Sequence, residues 1–289
     1  MTKRNAIILA AGTSSRFVPL SAERPKGLIE VKGEILIERQ ICQLKDAGIE
    51  DITLVVGYKA EMFDYLKDKY GVSIVFNEDY ACYNNTSSLI RVVDKLDNTF
   101  ICSSDNYFSH NVFVKKSVDS YYSALYAKGS TEEYCIKTNA DNQITGITIG
   151  GHDAWYMIGH VYFNRKFSER FRVILIDEYK NDETKLSYWE DIYARYIKSL
   201  PKMIINRYEQ GTIYEFDSLD ELRQFDESYK NDTRSSVVKH ICQQLDVKEK
   251  DVHAFKNIGH GCDYLHFQFM VGDKQYEYNA ENGVEIINI

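Results

Sequence analysis

The sequence predicts an α/β protein: a mixed, mainly parallel sheet flanked by helices, with a small α+β appendage at its C-terminal end. Three observations carry this expectation. Short β-rich runs, the wholly apolar Ala6–Ala10 (AIILA) and the largely apolar Ile52–Val56 (ITLVV) among them, alternate with longer segments of helical periodicity through the first hundred residues. A run apolar at every position suits a strand covered on both faces, and strand–helix alternation calls for parallel strands joined by right-handed crossovers. From Tyr121 to Phe163 the pattern turns to successive β-rich runs, and after Lys230–Ser236 (KNDTRSS) come one more helix and a hairpin.

Ala6–Ala10 is the first strand. In Ile35–Ala47, Ile35, Ile37, Ile41 and Leu44 stand at near-helical spacing, and Gly48 ends that helix. Strand Ile52–Val56 leads through Gly57 to a helical stretch around Met62–Lys69, followed by strand Val72–Phe76, helix Ser88–Leu96 and strand Thr99–Ser103. Tyr122–Tyr126, Tyr134–Lys137, Ile144–Ile149 and Tyr156–Phe163 read as strands of a sheet extension or lid, and helical patterns return at Tyr188–Ile197 and Leu219–Tyr229. The polar stretch Lys230–Ser236 reads as a linker. It divides the chain into a large domain, residues 1–229, and a small segment, residues 237–289. That segment holds helix Val237–Leu245 and strands Leu265–Val271 and Gln275–Asn279, joined as a hairpin by Gly272, Asp273 and Lys274.

Hydrophobic residues make up 44% and charged residues 27%, a balance that argues against disorder. A net charge of -8 speaks against general nucleic-acid binding, which recruits basic surfaces. A single nucleotide stays open as a substrate, because a few placed cations and a magnesium ion can hold a triphosphate in an acidic protein. Cys42, Cys82, Cys102, Cys135, Cys242 and Cys262 show no metal-knuckle or redox spacing, so they read as small buried hydrophobes in a reducing compartment. The apolar run near the N-terminus is too short for a membrane span and runs into a Gly/Ser loop instead of a cleavage site; no later segment is long and apolar enough to cross. The expectation is a cytoplasmic protein without membrane insertion.

In open α/β sheets ligands bind beyond the carboxyl ends of the strands, so the segments after Ala10 and after Ser103 are the places to search. Leu9, Ala10, Ala11, Gly12, Thr13, Ser14, Ser15 and Arg16 take a buried strand into a loop of small residues, followed by Pro25, Lys26, Gly27 and Leu28. Such a loop presents backbone N–H groups to a phosphate chain at close range, where a bulky side chain would block the approach. Arg16 and Lys26 would supply the positive charge that stabilises phosphate oxygens in a pentavalent transition state. A plain βα turn with two surface cations is the alternative.

The stretch LAAGTSSRFVPLSAERPKGLIEVKGEILIERQI resembles the signature of the nucleotidyltransferase superfamily that makes nucleotide-sugars and CDP-alcohols, except that a second glycine is usual where Ser14 stands. FNEDYACYNNTSSL, SSDNYF, SYWED and IYEFDSLDEL narrow the likeness to the bacterial CTP:phosphocholine cytidylyltransferases, in collinear order over residues 4–229. The resemblance implies a Rossmann-like α/β core, magnesium dependence, CTP and phosphocholine as substrates, and pyrophosphate release.

Asp105, directly after the fourth strand, could hold magnesium or cap a helix. Glu215 and Asp217 in IYEFDS alternate as on one face of a strand, tolerable if exposed or neutralised by a cation; by resemblance they complete the metal site with Asp105. The resembling enzymes have one acid after Tyr-Trp, so Glu190 and Asp191 compete for that place, Glu190 toward the acceptor or Asp191 toward the metal. By the same likeness Leu9, Ala11, Asn84, Asn85 and Ser88 would lie near the pyrimidine. Tyr134, Tyr188 and Trp189, with Trp155, would form an aromatic site for a trimethylammonium group, unless they are core aromatics; the 22 tyrosines of the chain mostly suit half-buried packing.

The expected reaction is one in-line displacement, the acceptor phosphate attacking the α-phosphorus of CTP. A sugar 1-phosphate or an aminoethyl phosphate or phosphonate is the rival acceptor, and an inactive nucleotide sensor the rival class. The hairpin segment from Phe255 faintly resembles the start of choline-kinase-like phosphotransferases, but no later catalytic segment follows, so it reads as an appendage that packs on the chain or pairs two copies as a homodimer. His260 and His266 read as surface or hairpin residues.

Overall fold

The computed structural model describes residues 3–114, 117–259 and 265–286. The chain begins with β1 (Asn5–Ala10), α1 (Leu20–Glu23), the short strands β2 (Glu30–Val31) and β3 (Glu34–Ile35), α2 (Leu36–Asp46), β4 (Asp51–Val56), α3 (Tyr65–Tyr70) and β5 (Ser73–Phe76). It continues through α4 (Asn85–Ile90), β6 (Thr99–Ser103), β7 (Tyr107–Phe108), β8 (Ser120–Thr138) and β9 (Ile144–Phe163) to α5 (Arg165–Glu178), α6 (Asp182–Leu186) and α7 (Trp189–Tyr196). Then come β10 (Met203–Arg207), β11 (Ile213–Tyr214), α8 (Leu219–Phe225), α9 (Ser236–Leu245), β12 (Val252–Asn257), β13 (His266–Val271), β14 (Lys274–Asn279) and β15 (Gly283–Ile286). The chain forms two compact units, residues 1–12 with 37–215 and residues 13–36 with 216–289.

The first unit is built on a seven-stranded sheet in the order β10-β8-β9-β6-β1-β4-β5. β1 runs parallel to both β4 and β6, with Leu9 level with Val55 on one side and Ser103 on the other. Ile7, Ile8, Leu54 and Val55 are completely buried, as the apolar middles of β1 and β4 require. β9 reverses direction and pairs antiparallel with β6 and β8. The expected mixed, mainly parallel sheet flanked by helices is therefore present.

Three elements differ from the expectation. The four β-rich runs after residue 120 are two strands of 19 and 20 residues. Their apolar pattern lapses around Lys128 to Glu133 and Gly150 to Asp153, where β8 and β9 carry exposed positions and register shifts, yet the backbone ladder continues through the gap. The helix expected over Ser88–Leu96 stops at Ile90, and a single 3-10 turn covers Val93–Lys95. Helix α5 was not anticipated; it buries Phe167, Phe171, Ile174 and Leu175 in the core with Phe163, Trp189 and Tyr193.

In the second unit, residues 13–36 pack against the C-terminal residues. Tyr229 Oη donates to the Glu30 carbonyl at 2.6 Å, Lys32 N–H donates to Asp226 Oδ2 at 2.7 Å, and Glu23 Oε1 accepts from the Val237 N–H at 2.8 Å. α8 ends at Phe225 because Asp226 is extended and caps the next turn. β12 to β15 form an antiparallel sheet in sequence order, with the expected hairpin between β13 and β14 in register from Val271–Lys274 to His266–Asn279. Lys230–Ser236, expected as a linker, is a packed segment: Thr233 and Ser235 are completely buried, and Thr233 N–H donates to Glu249 Oε2 at 2.7 Å.

Cys102, Cys135 and Cys242 are buried as expected, but Cys42 and Cys82 are exposed, Cys42 on the outer side of α2. Cys262 and His260 lie outside the described residues. Among the described residues no helix is long and apolar enough to cross a membrane.

Candidate active site

At the carboxyl end of β1, the Leu9 carbonyl accepts from the Ser104 N–H at 3.1 Å and the Ala11 carbonyl from the Tyr58 N–H at 3.2 Å. Each carbonyl keeps a second lone pair for a ligand. Gly57 is required by this arrangement, since a Cβ there would lie 2.9 Å from the Ala11 carbonyl oxygen and 2.5 Å from Tyr80 Cβ. Gly12 differs: a Cβ on it would meet nothing within 4 Å. Packing does not demand glycine at Gly12, so its value is the bare backbone that it offers at the start of the loop.

The rest of the loop belongs to the second unit. Ser14 sits in the left-handed region (φ 51°, ψ 42°), and Phe17 N–H donates to its carbonyl at 2.9 Å, closing the 3-10 turn Ser15–Phe17. The backbone conformation explains why glycine is the easier residue at this position and why a serine is held there under strain. Phe17 is buried and anchors the turn, and Lys26 Nζ lies 5.8 Å from its ring centre. Arg16 Nη1 is 3.0 Å from Asp217 Oδ2, and Lys26 Nζ is 3.5 Å from Asp217 Oδ1. One carboxylate thus sits between the two cations named from the sequence. Arg16 is exposed, whereas the Lys26 side chain is only 6% exposed and has been desolvated to take this place.

In the first unit, antiparallel pairing of β7 with β11, Tyr107 opposite Tyr214, draws the turn at Asp105 and Asn106 alongside Glu215. Asn106 Nδ2 donates to Glu215 Oε2 at 3.3 Å, while its Oδ1 is buried with no hydrogen-bond partner among the described residues. Asp105 is half-buried in a turn after β6 and caps no helix. The expectation that Glu215 and Asp217 alternate along a strand fails, because β11 ends at Tyr214 and both acids lie beyond it.

Magnesium prefers oxygen donors and usually takes one or two carboxylates, filling its shell with water and substrate phosphates. The carboxylates of Asp105 and Glu215 and the orphaned Asn106 Oδ1 match that donor chemistry. Among the described residues no group of three or more His, Cys, Asp or Glu side chains is gathered to hold a metal by itself. Asp217, bound to Arg16 and Lys26, would have to release one of these partners to serve as a ligand.

The starts of α4 and α7 are joined by polar contacts. Asn84 caps α4, and its N–H donates to the Lys185 carbonyl at 3.1 Å. Thr86 Oγ1 donates to the Ser187 carbonyl at 2.7 Å. Asn85 Oδ1 accepts from the Trp189 N–H at 2.9 Å, and its Nδ2 donates to Glu190 Oε2 at 3.2 Å. Ser88, expected near the base, is buried and accepts from Asn77 Nδ2 at 3.1 Å.

This framework separates the two adjacent acids. Asp191 Oδ2 accepts from the Tyr188 N–H at 2.9 Å, completing a capping box on α7, and its Oδ1 accepts from Tyr134 Oη at 2.8 Å. Both oxygens of Asp191, expected as a metal ligand, are thus engaged in holding the start of α7 and the Tyr134 hydroxyl. Glu190 turns inward to accept from Tyr122 Oη at 3.1 Å, and burial pushes its carboxyl up to about 7, with Asp191 adding to the rise. Burial pushes the Tyr122 hydroxyl well up, with the negative charges of Glu190 and Glu215 adding to the rise, and burial raises Tyr156 in the same way, with Glu133 and Glu215 adding to it.

The four aromatics named from the sequence divide. Tyr134 and Tyr188 meet edge to face with ring centres 6.2 Å apart, and Tyr188 is 45% exposed. Trp189 is buried in the core, stacked on Tyr122 at 5.9 Å, so it presents no face to a ligand. Trp155 has its ring covered by the Arg207 guanidinium at 5.2 Å and packs against Tyr126. Sequence reading passed over Tyr122, Tyr156, Glu133 and Asn106. Asn106 had a signal in its place beside Asp105, whereas nothing local marks Tyr122 among 22 tyrosines.

Residues 6–139 match the family model described as the MobA-like NTP transferase domain. The chain is 36% identical over 227 residues to the choline-phosphate cytidylyltransferase of Streptococcus pneumoniae, covering 78% of this chain and 99% of that one. It is also 36% identical over 231 residues to the 2-aminoethylphosphonate cytidylyltransferase of Lancefieldella rimae, covering 78% of this chain and 94% of that one. The solved structure of the CTP:phosphocholine cytidylyltransferase from Streptococcus pneumoniae superposes with a TM-score of 0.75 at 35% identity, over 78% of this chain and 99% of that one.

Proposed function

The chain belongs to the nucleotidyltransferase family, and on that premise we propose that it transfers CMP from CTP to phosphocholine, giving CDP-choline and pyrophosphate. The observation that carries the choice of acceptor is the grouping, in one compact unit, of Glu190 on Tyr122 with the edge-to-face pair Tyr134 and Tyr188. A trimethylammonium group donates no hydrogen bond, so a site selects it by aromatic faces and nearby negative charge. The accessible ring of Tyr188 and the carboxylates of Glu190 and Glu215 supply both.

The phosphate of the acceptor attacks the α-phosphorus of CTP while the bond to the β-phosphate oxygen breaks. Arg16 and Lys26 stabilise the charge that develops on the phosphate oxygens, and Asp217 keeps the two cations in place between turnovers. A magnesium ion, held on Asp105 and Glu215, would supply charge neutralisation to the triphosphate. No general base is needed, because a phosphate monoester is already ionised near neutral pH. A cytoplasmic location belongs to this reading.

A second acceptor is favoured by the equal identity to the 2-aminoethylphosphonate enzyme. A primary ammonium calls for free hydrogen-bond acceptors, and Asp191 has both oxygens engaged. The deciding experiment is a pyrophosphate-release assay with each of the common NTPs against phosphocholine, phosphoethanolamine, 2-aminoethylphosphonate and glucose 1-phosphate. CTP with phosphocholine should give the highest kcat/KM. Preference for a primary amine would move the assignment to the second acceptor, and CTP binding in calorimetry without turnover on any acceptor would refute both.

A further inference from the structure

The C-terminal part of the second unit holds an open cavity of ≈ 390 Å³ lined by Lys230, Lys239, Lys248 and Lys250 with Gln243 and Glu249. Four lysines against one glutamate is a local excess of positive charge in a chain whose net charge is -8. Two of the lysines are committed: Lys230 Nζ is 2.7 Å from Glu227 and Lys239 Nζ is 2.9 Å from Asp232. Lys248 and Lys250 form no ion pair among the described residues. Glu249, the acid of the cavity, accepts from the Thr233 backbone N–H and from Thr233 Oγ1, both at Oε2, so one of its two oxygens is already engaged.

The lysines are fixed by the fold. α9 places Lys239 and Gln243 one turn apart on one face, Asp246 closes the helix in the left-handed region, and Val247 N–H donates to the Cys242 carbonyl at 3.1 Å. The 3-10 turn Glu249–Asp251 then brings Lys248 and Lys250 back to the helix end, where Asp251 caps the Lys248 backbone N–H. Each lysine ammonium is a compact charge suited to phosphate oxygens, and the cavity is larger than a single phosphate needs, within the range that holds a whole small molecule.

We propose that this cavity is a second binding site, separate from the catalytic one, for an anion carrying two or more linked phosphates, Lys248 and Lys250 being its main contacts. Pyrophosphate and a nucleoside diphosphate share that chemistry. The site lies outside the residues assigned to CMP transfer, so it stands or falls independently of the acceptor.

The test is isothermal titration calorimetry of the full chain with pyrophosphate and, separately, with CDP, on the wild type and on the double variant K248E/K250E. The wild type should show two binding events for at least one probe, and the variant should lose one of them or weaken it at least about tenfold, with salt weakening it further. Pyrophosphate alone giving the second event would assign the site to the inorganic anion; CDP giving it more tightly would assign it to the nucleotide. Turnover at saturating CTP and phosphocholine should match in both proteins, showing that the variant is folded. A single event in the wild type, or identical isotherms in wild type and variant, would overturn the site.

Discussion

Tyr122 Oη donates to Glu190 Oε1 at 3.1 Å, and the other oxygen of Glu190 accepts from Asn85 at 3.2 Å. One strand and two helix starts thus converge on a single carboxylate, which burial pushes up to about 7 from an ordinary value of 4.5. Between those values the folded chain holds a proton that the unfolded chain has released, so Glu190 makes stability fall as pH rises through that window.

Glu190→Gln should remove that fall. Urea midpoints at about pH 5 and about pH 8 should show the wild type losing on the order of 1–3 kcal/mol relative to the variant. The ionised form is the one that attracts a cationic acceptor. Wild-type kcat/KM for phosphocholine should therefore rise about tenfold per pH unit below about pH 7, and the variant should lack this rise. Equal profiles for both proteins would remove Glu190 from the acceptor site.

Lys26 and Arg16 share Asp217 but differ in burial, which separates their effects. Replacing either with Ala should lower kcat by about 10²- to 10³-fold. Only Asp217→Asn and Lys26→Ala should cost stability, about 1–3 kcal/mol by thermal unfolding, because they break a pair with one desolvated member. Arg16→Ala should be neutral, as an exposed ion pair contributes about 0–1 kcal/mol. A stability loss in Arg16→Ala equal to that in Lys26→Ala would contradict this division.

Ser14 is held at φ 51°. Ser14→Gly should change stability by less than about 1 kcal/mol, since relief of strain is offset by the greater freedom of glycine in the unfolded chain. Ser14→Val should lose about 1–2 kcal/mol, a β-branched residue being poorly suited to that region. Chemical denaturation of the three proteins would measure both differences.

Asp105→Ala and Asp105→Asn should each abolish pyrophosphate release while leaving the circular dichroism spectrum unchanged, because Asp105 lies in a turn after β6 and caps no helix. Chelation by EDTA should do the same to the wild type, reversibly on adding magnesium. Full activity in either variant would exclude Asp105 as a metal ligand.

Much of the first unit was legible locally. The middles of β1, β4 and β6 are mostly apolar because both faces are covered there, and α2 ends at Asp46, two residues before the Gly48 that its sequence marks as a stop. The loop of small residues after β1 was legible too, whereas the carboxylate that Arg16 and Lys26 share was not. Asp191 was not separable from Glu190, since adjacent acids on a helix start look alike until a partner chooses between them. Tyr134 and the Tyr188 backbone took one, while Tyr122 and Asn85 took the other.

What the amino-acid sequence determined by itself are the local patterns: which segments become strands and helices, the loop after β1, and the family likeness written in its motifs. These depend on periodicity and turn chemistry within a few residues. Only the tertiary structure decided that residues 13–36 pack with residues 216–289, that Asp217 sits between Arg16 and Lys26, and that Trp189 is a core residue while Tyr188 is exposed. Each of these rests on contacts between residues far apart in the chain, and burial or a shared hydrogen bond at such a distance leaves no periodic mark in the sequence.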